Sequence, residues 1–175
     1  MAKTASRTVR PQEIRQLYDE DIVLWSEQQA GALRALKGVR DLPPELDIDN
    51  VVEEIETVER NETAAVESMI RQIFLHLLKI AGEPEALSVR HWMGEIVGFS
   101  AEAISRYAPS MRQKIDLDRV WRSARRQIIT GASDAGGALL EASPVQCPFG
   151  LDDLLVTSIE PATLVEKLRL ASAGR

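Results

Sequence analysis

Residues 47–81, DIDNVVEEIETVERNETAAVESMIRQIFLHLLKIA, decide the fold. The stretch holds neither glycine nor proline, and its apolar residues recur at helical spacing from end to end. Advancing about 100° per residue from Ile55 brings Ile48, Val51, Val52, Val58, Val66, Met69, Ile70, Ile73 and Ile80 within about 60° of it. Such a stripe is what a helix buries in a core. Phe74 and Leu78 widen the apolar arc of the second half beyond about 100°, so that end is expected to be buried on more sides. Asp47 or Asn50 supplies the N-cap, and Asn50 with Glu53 has capping-box spacing. A straight helix of this length runs about 50 Å. That is long for a chain of this size. The spacing therefore predicts a kink near Arg60–Asn61, or a partner chain covering one end.

On the N-terminal side, residues 1–10 read as a loose arm and Pro11 opens a short helical turn. Asp19 is the expected cap of a next helix with Ile22, Trp25, Gln29, Ala32, Leu33 and Leu36 on one side. Gly38 ends it, and Pro43–Pro44 keep the loop out of helix. On the C-terminal side, Gly82 and Pro84 stop the long helix. A third helix is expected from about Pro84 to Tyr107, with Val89, Trp92, Met93, Ile96, Phe99, Ala103, Ile104 and Tyr107 sharing a face. Gly94 and Gly98 inside it weaken the helix or admit a close neighbour. Ser110 and Gln113 have capping-box spacing for a fourth helix to about Thr130, buried through Leu117, Val120, Trp121, Ala124 and Ile128. A stretch of mostly small residues follows. Two short helices close the chain, around Leu151–Leu155 and from Pro161 to about Leu170. No internal repeat is present.

Composition bounds the function. At 175 residues the chain is read as a single all-helical domain with enough material for a core. A net charge of −6 speaks against nucleic-acid binding by the whole surface. The one cysteine, Cys147, rules out an internal disulfide and disfavours a cysteine zinc site. The apolar runs are too short to span a membrane. The first residues have no apolar signal core, and a bacterial cytoplasm is the expected setting.

The residues also resemble a family. Tyr18-Asp19-Glu20-Asp21, Trp25 and Gln28-Gln29-Ala30 look like its opening. Asp47, Asn50, Glu53-Glu54-Ile55-Glu56 and His76-Leu77-Leu78-Lys79 look like its central signature. Trp92, Pro109-Ser110-Met111-Arg112, Cys147-Pro148-Phe149 and Leu154-Leu155 follow in the family's order. The likeness is to the bacterial domain-of-unknown-function family twenty-nine, over roughly Leu17 to Leu155. It implies an all-helical fold and no established activity. The family often carries a more aromatic or basic set after the His-Leu-Leu-Lys piece, where this chain has Ile80-Ala81-Gly82. The tail from Val156 lies outside the resemblance.

Several polar residues are candidates for chemistry. Glu59 and Glu62 fall about 40° and 20° from the stripe centre, and His76 about 60° away. A carboxylate aimed at a core needs a partner. Glu62 and His76 are about 21 Å apart along the axis, so they cannot share one ion. The reading therefore assigns no metal and no cofactor. His76, Lys79 and Glu54 or Glu62 are the candidate catalytic set, for a small nuclease or toxin-like effector. The competing view of His76 is a neutral core residue bonded to a neighbouring helix. His91 and Glu95 make an i,i+4 pair on an outer face. Arg112, Arg119, Arg122 and Arg126 lie within about 80° of one another and form a candidate interaction stripe, for phosphates or for protein. Against it, residues 41–62 hold nine acidic groups and only Arg60. Cys147 has no base or anion hole nearby in sequence and reads as a loop anchor beside Phe149.

These readings converge on an all-α fold: a four-helix bundle-like core on one long central helix, with a loop and short C-terminal helices across it. The leading function is an interaction or structural module without catalysis. It is expected to self-associate as a homo-oligomer or to take an unknown protein partner, through the acidic long helix or the basic fourth one. Nucleic-acid binding through the arginine stripe is the further alternative.

Overall fold

In a computed structural model of the protein, the described residues are 11–39, 41–131 and 143–173. The fold is all-α, and among the described residues there is no strand. The elements are α1 (Pro11–Glu20), α2 (Ile22–Ala35), α3 (Ile48–Gly82), α4 (Val89–Arg106), a 3₁₀ helix (Pro109–Gln113), α5 (Leu117–Gly131), α6 (Leu151–Leu154) and α7 (Pro161–Ala173). The loose arm expected at residues 1–10, and most of the small-residue stretch after α5, lie outside the described residues.

The long helix is α3, 35 residues, about 52 Å at ordinary rise. It stays helical through Arg60 and Asn61. Its first turn is closed by Asp47, whose carboxylate accepts from the Asn50 backbone N–H at 3.2 Å and from the Asn50 side-chain amide at 2.6 Å. The cap is thus Asp47, with Asn50 as its donor.

The residues divide into two compact units. One holds the described residues through Glu62 together with Ala108–Met111. The other holds Thr63–Tyr107 and the described residues from Arg112 onward. The boundary on α3 falls two residues beyond the expected Arg60–Asn61 joint.

In the first unit α1 packs against α2. Tyr18 and Trp25 meet edge to face, with centroids 4.8 Å apart. The expected cap at Asp19 is replaced by Asp21, which accepts from the Leu24 backbone N–H at 2.9 Å. The same carboxylate accepts from the Ser110 N–H at 3.0 Å and the Ser110 hydroxyl at 2.7 Å. Ser110 therefore holds Asp21 instead of capping a fourth helix. α5 begins later, capped by Asp116, which accepts from the Arg119 N–H at 2.9 Å. The predicted face of α2 also shifts. Val23, Ser26 and Ala30 are the buried positions, while Ile22, Trp25, Leu33 and Leu36 are half-buried and Ala32 is exposed. The Ser26 hydroxyl is satisfied by the Val23 carbonyl at 2.8 Å. Ion pairs Arg34–Glu56 and Lys37–Asp49 link α2 and the loop after it to the start of α3. Being well exposed, such pairs add little stability.

The second unit carries most of the core. Val66, Ile70, Ile73, Phe74, Leu77, Leu78 and Ile80 of α3 are buried, as the widened apolar arc predicts. Phe74 stands edge-on to Trp121 at 5.2 Å and stacks on Phe149 at 5.7 Å. The Trp121 indole N–H donates to the Pro144 carbonyl at 2.9 Å. This satisfies the polar edge of a ring that is otherwise fully enclosed. Each such side chain contributes roughly 1.5–3 kcal/mol by leaving water. α4 begins at Val89, after a turn through Pro84 and Glu85, and not at Pro84 itself. It packs on α7, whose Leu164, Val165 and Leu168 are buried. The Ser100 hydroxyl donates to the Leu154 carbonyl at 2.7 Å and ties α4 to α6.

Candidate functional site

The stripe that predicts the core of α3 has two fates. Beyond Thr63 it is enclosed. Before Glu62 much of it faces an open groove of about 570 Å³. Its walls are Tyr18, Ile22 and Trp25 on α1 and α2, and Asn50, Val51, Glu54, Ile55 and Val58 on α3, with Asp47 at the foot of that helix. Val51, Ile55 and Val58 recur at i, i+4 and i+7, so they line one face. Their exposure shows how little covers it: Val51 is 38% and Val58 36% accessible, with Tyr18 at 52%. A second depression of about 370 Å³, lined by Ile14, Arg15 and Asp19, shares Tyr18 and Trp25. The aromatic pair thus borders open space in both. Polar groups in the larger groove are carboxylates and an amide: Asp47, Glu54 and Asn50.

The candidate catalytic residues are placed otherwise. His76 is buried, 9% exposed, with its ring 5.7 Å from Phe99. Its Nδ1 lies 2.8 Å from the Gln72 carbonyl, which makes Nδ1–H the donor of that bond. Burial holds its pKa below the ordinary histidine value. Nearby Lys79 pushes the same way, and the Gln72 bond and Glu95 push back. Lys79 lies over the Trp92 ring at 5.8 Å. Glu54 and Glu62 belong to the first unit, His76 and Lys79 to the second. Glu59 and Glu62 are half-buried, and each has an interaction partner. His91 and Glu95 form the expected exposed pair at 4.0 Å. Among the described residues no three His, Cys, Asp or Glu side chains gather around a point where a metal would sit.

The arginine stripe is divided between elements. Arg112 lies on the 3₁₀ helix and makes a two-pronged contact with Asp152 at 2.9 and 2.6 Å. The Asp152 hydrogen bonds raise the guanidinium pKa, with Tyr107 adding to the effect, and Arg112 in turn lowers that of Asp152. Arg119 pairs with Glu67, beside a small cleft that also holds Ser68, Arg71 and Ser123. Arg122 and Arg126 are exposed, and Arg126 has an interaction partner. Cys147 anchors its loop: its N–H donates to Asp118 at 2.8 Å, and its thiol lies 3.6 Å from the Phe149 carbonyl. Burial lifts the thiol pKa to about 11, which keeps the sulfur protonated and poorly nucleophilic at neutral pH.

Two features escape a reading of the sequence. Asp21 sits two residues from the predicted cap, and its Ser110 partner is 89 residues away, although both lie in segments quoted for the family likeness. The length of the helix raises a partner chain over one end, but the groove's other wall, Tyr18, Ile22 and Trp25, has no signal in the sequence.

Fold and surface together define an all-helical protein that carries an open apolar groove with carboxylates at its edge. The chain belongs to the family described as domain of unknown function DUF29, whose model matches residues 17–158. It is also similar to a crystal structure, at 1.45 Å resolution, of an alpha-helical protein of unknown function from Rhodospirillum rubrum ATCC 11170. The two are 31% identical with a TM-score of 0.75, over 86% of this chain and 96% of that one. Among curated proteins none matches.

Proposed function

We propose that the protein is an interaction module, and that the groove between α1, α2 and the first turns of α3 is its binding surface. One observation carries this reading. On the far side of Glu59 and Glu62 the apolar stripe of α3 resumes at Val58, Ile55 and Val51, yet Val51 and Val58 remain more than a third exposed. A patch of that kind, rimmed by polar groups, marks a surface built to be covered. The volume lies within the range of ligand sites, about 300–1,000 Å³, but it is an open trough with an aliphatic wall. It suits a side-chain row on another helix. The buried, neutral His76 and the protonated Cys147 fit structural roles in such a module. A bacterial, cytoplasmic setting belongs to the same proposal. Its support is a chain with one cysteine, which needs no oxidising compartment.

The test is a selection. A display library of helix-forming peptides, apolar at i, i+4 and i+7 and randomised elsewhere, is panned against the wild type and against Val58→Glu. Val58 is exposed enough that the substitution leaves the melting temperature in place. Enrichment on the wild type that disappears on Val58→Glu supports a groove-binding module. Equal recovery from both proteins refutes it.

A further inference from the structure

We propose that the groove's occupant is an amphipathic helix of a partner protein, about three turns long, with lysine or arginine beside its apolar face. This rests on the interaction reading above and adds the chemistry of the partner. The length follows from α3. Asp47 to Val58 spans eleven residues of rise, about 16 Å, which is about three turns of an opposing helix. Such a helix offers apolar side chains at i, i+4 and i+7 to a wall that repeats at Val51, Ile55 and Val58.

The charge follows from what surrounds that wall. Asp47 and Glu54 line the groove itself. Residues 41–62 carry Asp41, Glu45, Asp47, Asp49, Glu53, Glu54, Glu56, Glu59 and Glu62 against Arg60 alone. Internal pairing accounts for some of these: Glu56 with Arg34, and Asp49 with Lys37. Among the described residues, Glu53 and Glu54 are exposed and make no ion pair. A helix laid in the trough places its flanking positions next to these carboxylates. Cationic flanks are attracted there, and anionic ones repelled.

Two occupants from within the chain fit less well. A second copy docking groove to groove brings Asp47 and Glu54 against Asp47 and Glu54. A second copy docking through its basic side offers Arg112 and Arg119, which already hold Asp152 and Glu67, with Arg122 and Arg126 on a helix whose Val120, Trp121 and Ala124 are buried, so it brings no apolar row to the wall. The chain's own first ten residues carry Lys3, Arg7 and Arg10, but only Met1 and Val9 as apolar side chains larger than alanine. That is too little apolar surface for a trough of this size. A basic partner helix satisfies both the wall and the rim.

The decisive experiment uses the full chain and two synthetic helices with the same apolar face, one with lysine flanks and one with glutamate flanks. Affinities are measured by fluorescence anisotropy at low and high salt, beside light scattering of the protein alone. The expected result is binding of the lysine helix roughly tenfold tighter than the glutamate helix at low salt. The gap narrows as salt rises and closes or reverses in Glu54→Lys. Equal affinity, or preference for the glutamate helix, overturns the cationic partner while groove binding lost in Val58→Glu keeps the interaction module. A dimer that Val58→Glu dissociates assigns the groove to a second copy and also overturns the proposal. Failure of both helices to bind a monomeric protein, together with an empty selection, removes the module reading itself.

Discussion

Removing the Asp21 carboxylate should weaken the first unit by an amount the geometry allows to be worked out. Asp21 is 7% exposed and accepts three hydrogen bonds, from the Leu24 N–H, the Ser110 N–H and the Ser110 hydroxyl. As a cap, its replacement by alanine costs about 1 kcal/mol. As a charged acceptor, it strengthens each bond relative to a neutral one, and loss of a bond to a charged group costs about 1.5–3 kcal/mol. The Ser110 donors would face a site with no acceptor, so Asp21→Ala should lose about 3 kcal/mol in all. For a chain of this length that is a fall of about 6–12 °C in Tm. Ser110→Ala removes only the hydroxyl and should lose about 1 kcal/mol. The informative quantity is the coupling in a double-mutant cycle, read from chemical denaturation followed by circular dichroism. Asp21→Ala and Ser110→Ala should fall short of additivity by about 1 kcal/mol, because the second change removes a partner already lost. Additivity within about 0.5 kcal/mol would refute the claim that this pair joins α2 to the turn at Ala108–Met111.

Two further outcomes follow from α4 and α3. A Cβ at Gly98 would meet nothing within 4 Å, and the same holds at Gly94. Gly98→Ala should therefore raise stability by about 0.5–1 kcal/mol, a gain of roughly 1–4 °C in Tm; a loss would show that the position needs glycine. For His76, the folded pKa lies below the unfolded value of 6.5. The unfolded chain then binds the extra proton first, so stability holds above about pH 6.5 and falls as pH drops toward the folded pKa. Denaturation midpoints at pH 7.5 and 5.5 should differ more in the wild type than in His76→Gln, and equal differences would exclude His76 as the source.

How much of this was legible depends on what each residue reports. The α3 stripe was readable because burial on one side of a long helix imposes a 3.6-residue period. Phe74 and Leu78 broadened that period at the end that proves most enclosed. The buried side of α2 differs from the expected one because bulk is a poor sign of which face is enclosed. Two of its three buried positions are Ser26 and Ala30, small residues that add little to an apolar pattern. The large Ile22 and Trp25 are left to wall the groove. The start of α5 was misplaced because Ser110 and Gln113 have cap spacing, while Ser110's hydroxyl is held by Asp21, a partner that local spacing cannot name. Arg112 does not share a helix with Arg119, Arg122 and Arg126, because it precedes α5 on the 3₁₀ helix. Helical angles do not carry across a break in the helix.

The groove raises a different point about periodicity. An apolar period records which side of a helix is withdrawn from water in the state in which the protein works. It does not say that the same chain does the covering. In α3 apolar residues of the stripe lie on both sides of Glu59 and Glu62, and of those in the first unit only Val52 is buried. From Val66 onward the stripe meets residues such as Trp121 and Phe149 that bring their own partners. At Val51 and Val58 it meets an opening edged by carboxylates. A helix that only had to finish its own core would carry polar residues at those two positions, since solvated valine gains nothing there and lowers helix propensity. Their presence, at the same register as the buried half, is the reason to look for the missing surface on another molecule.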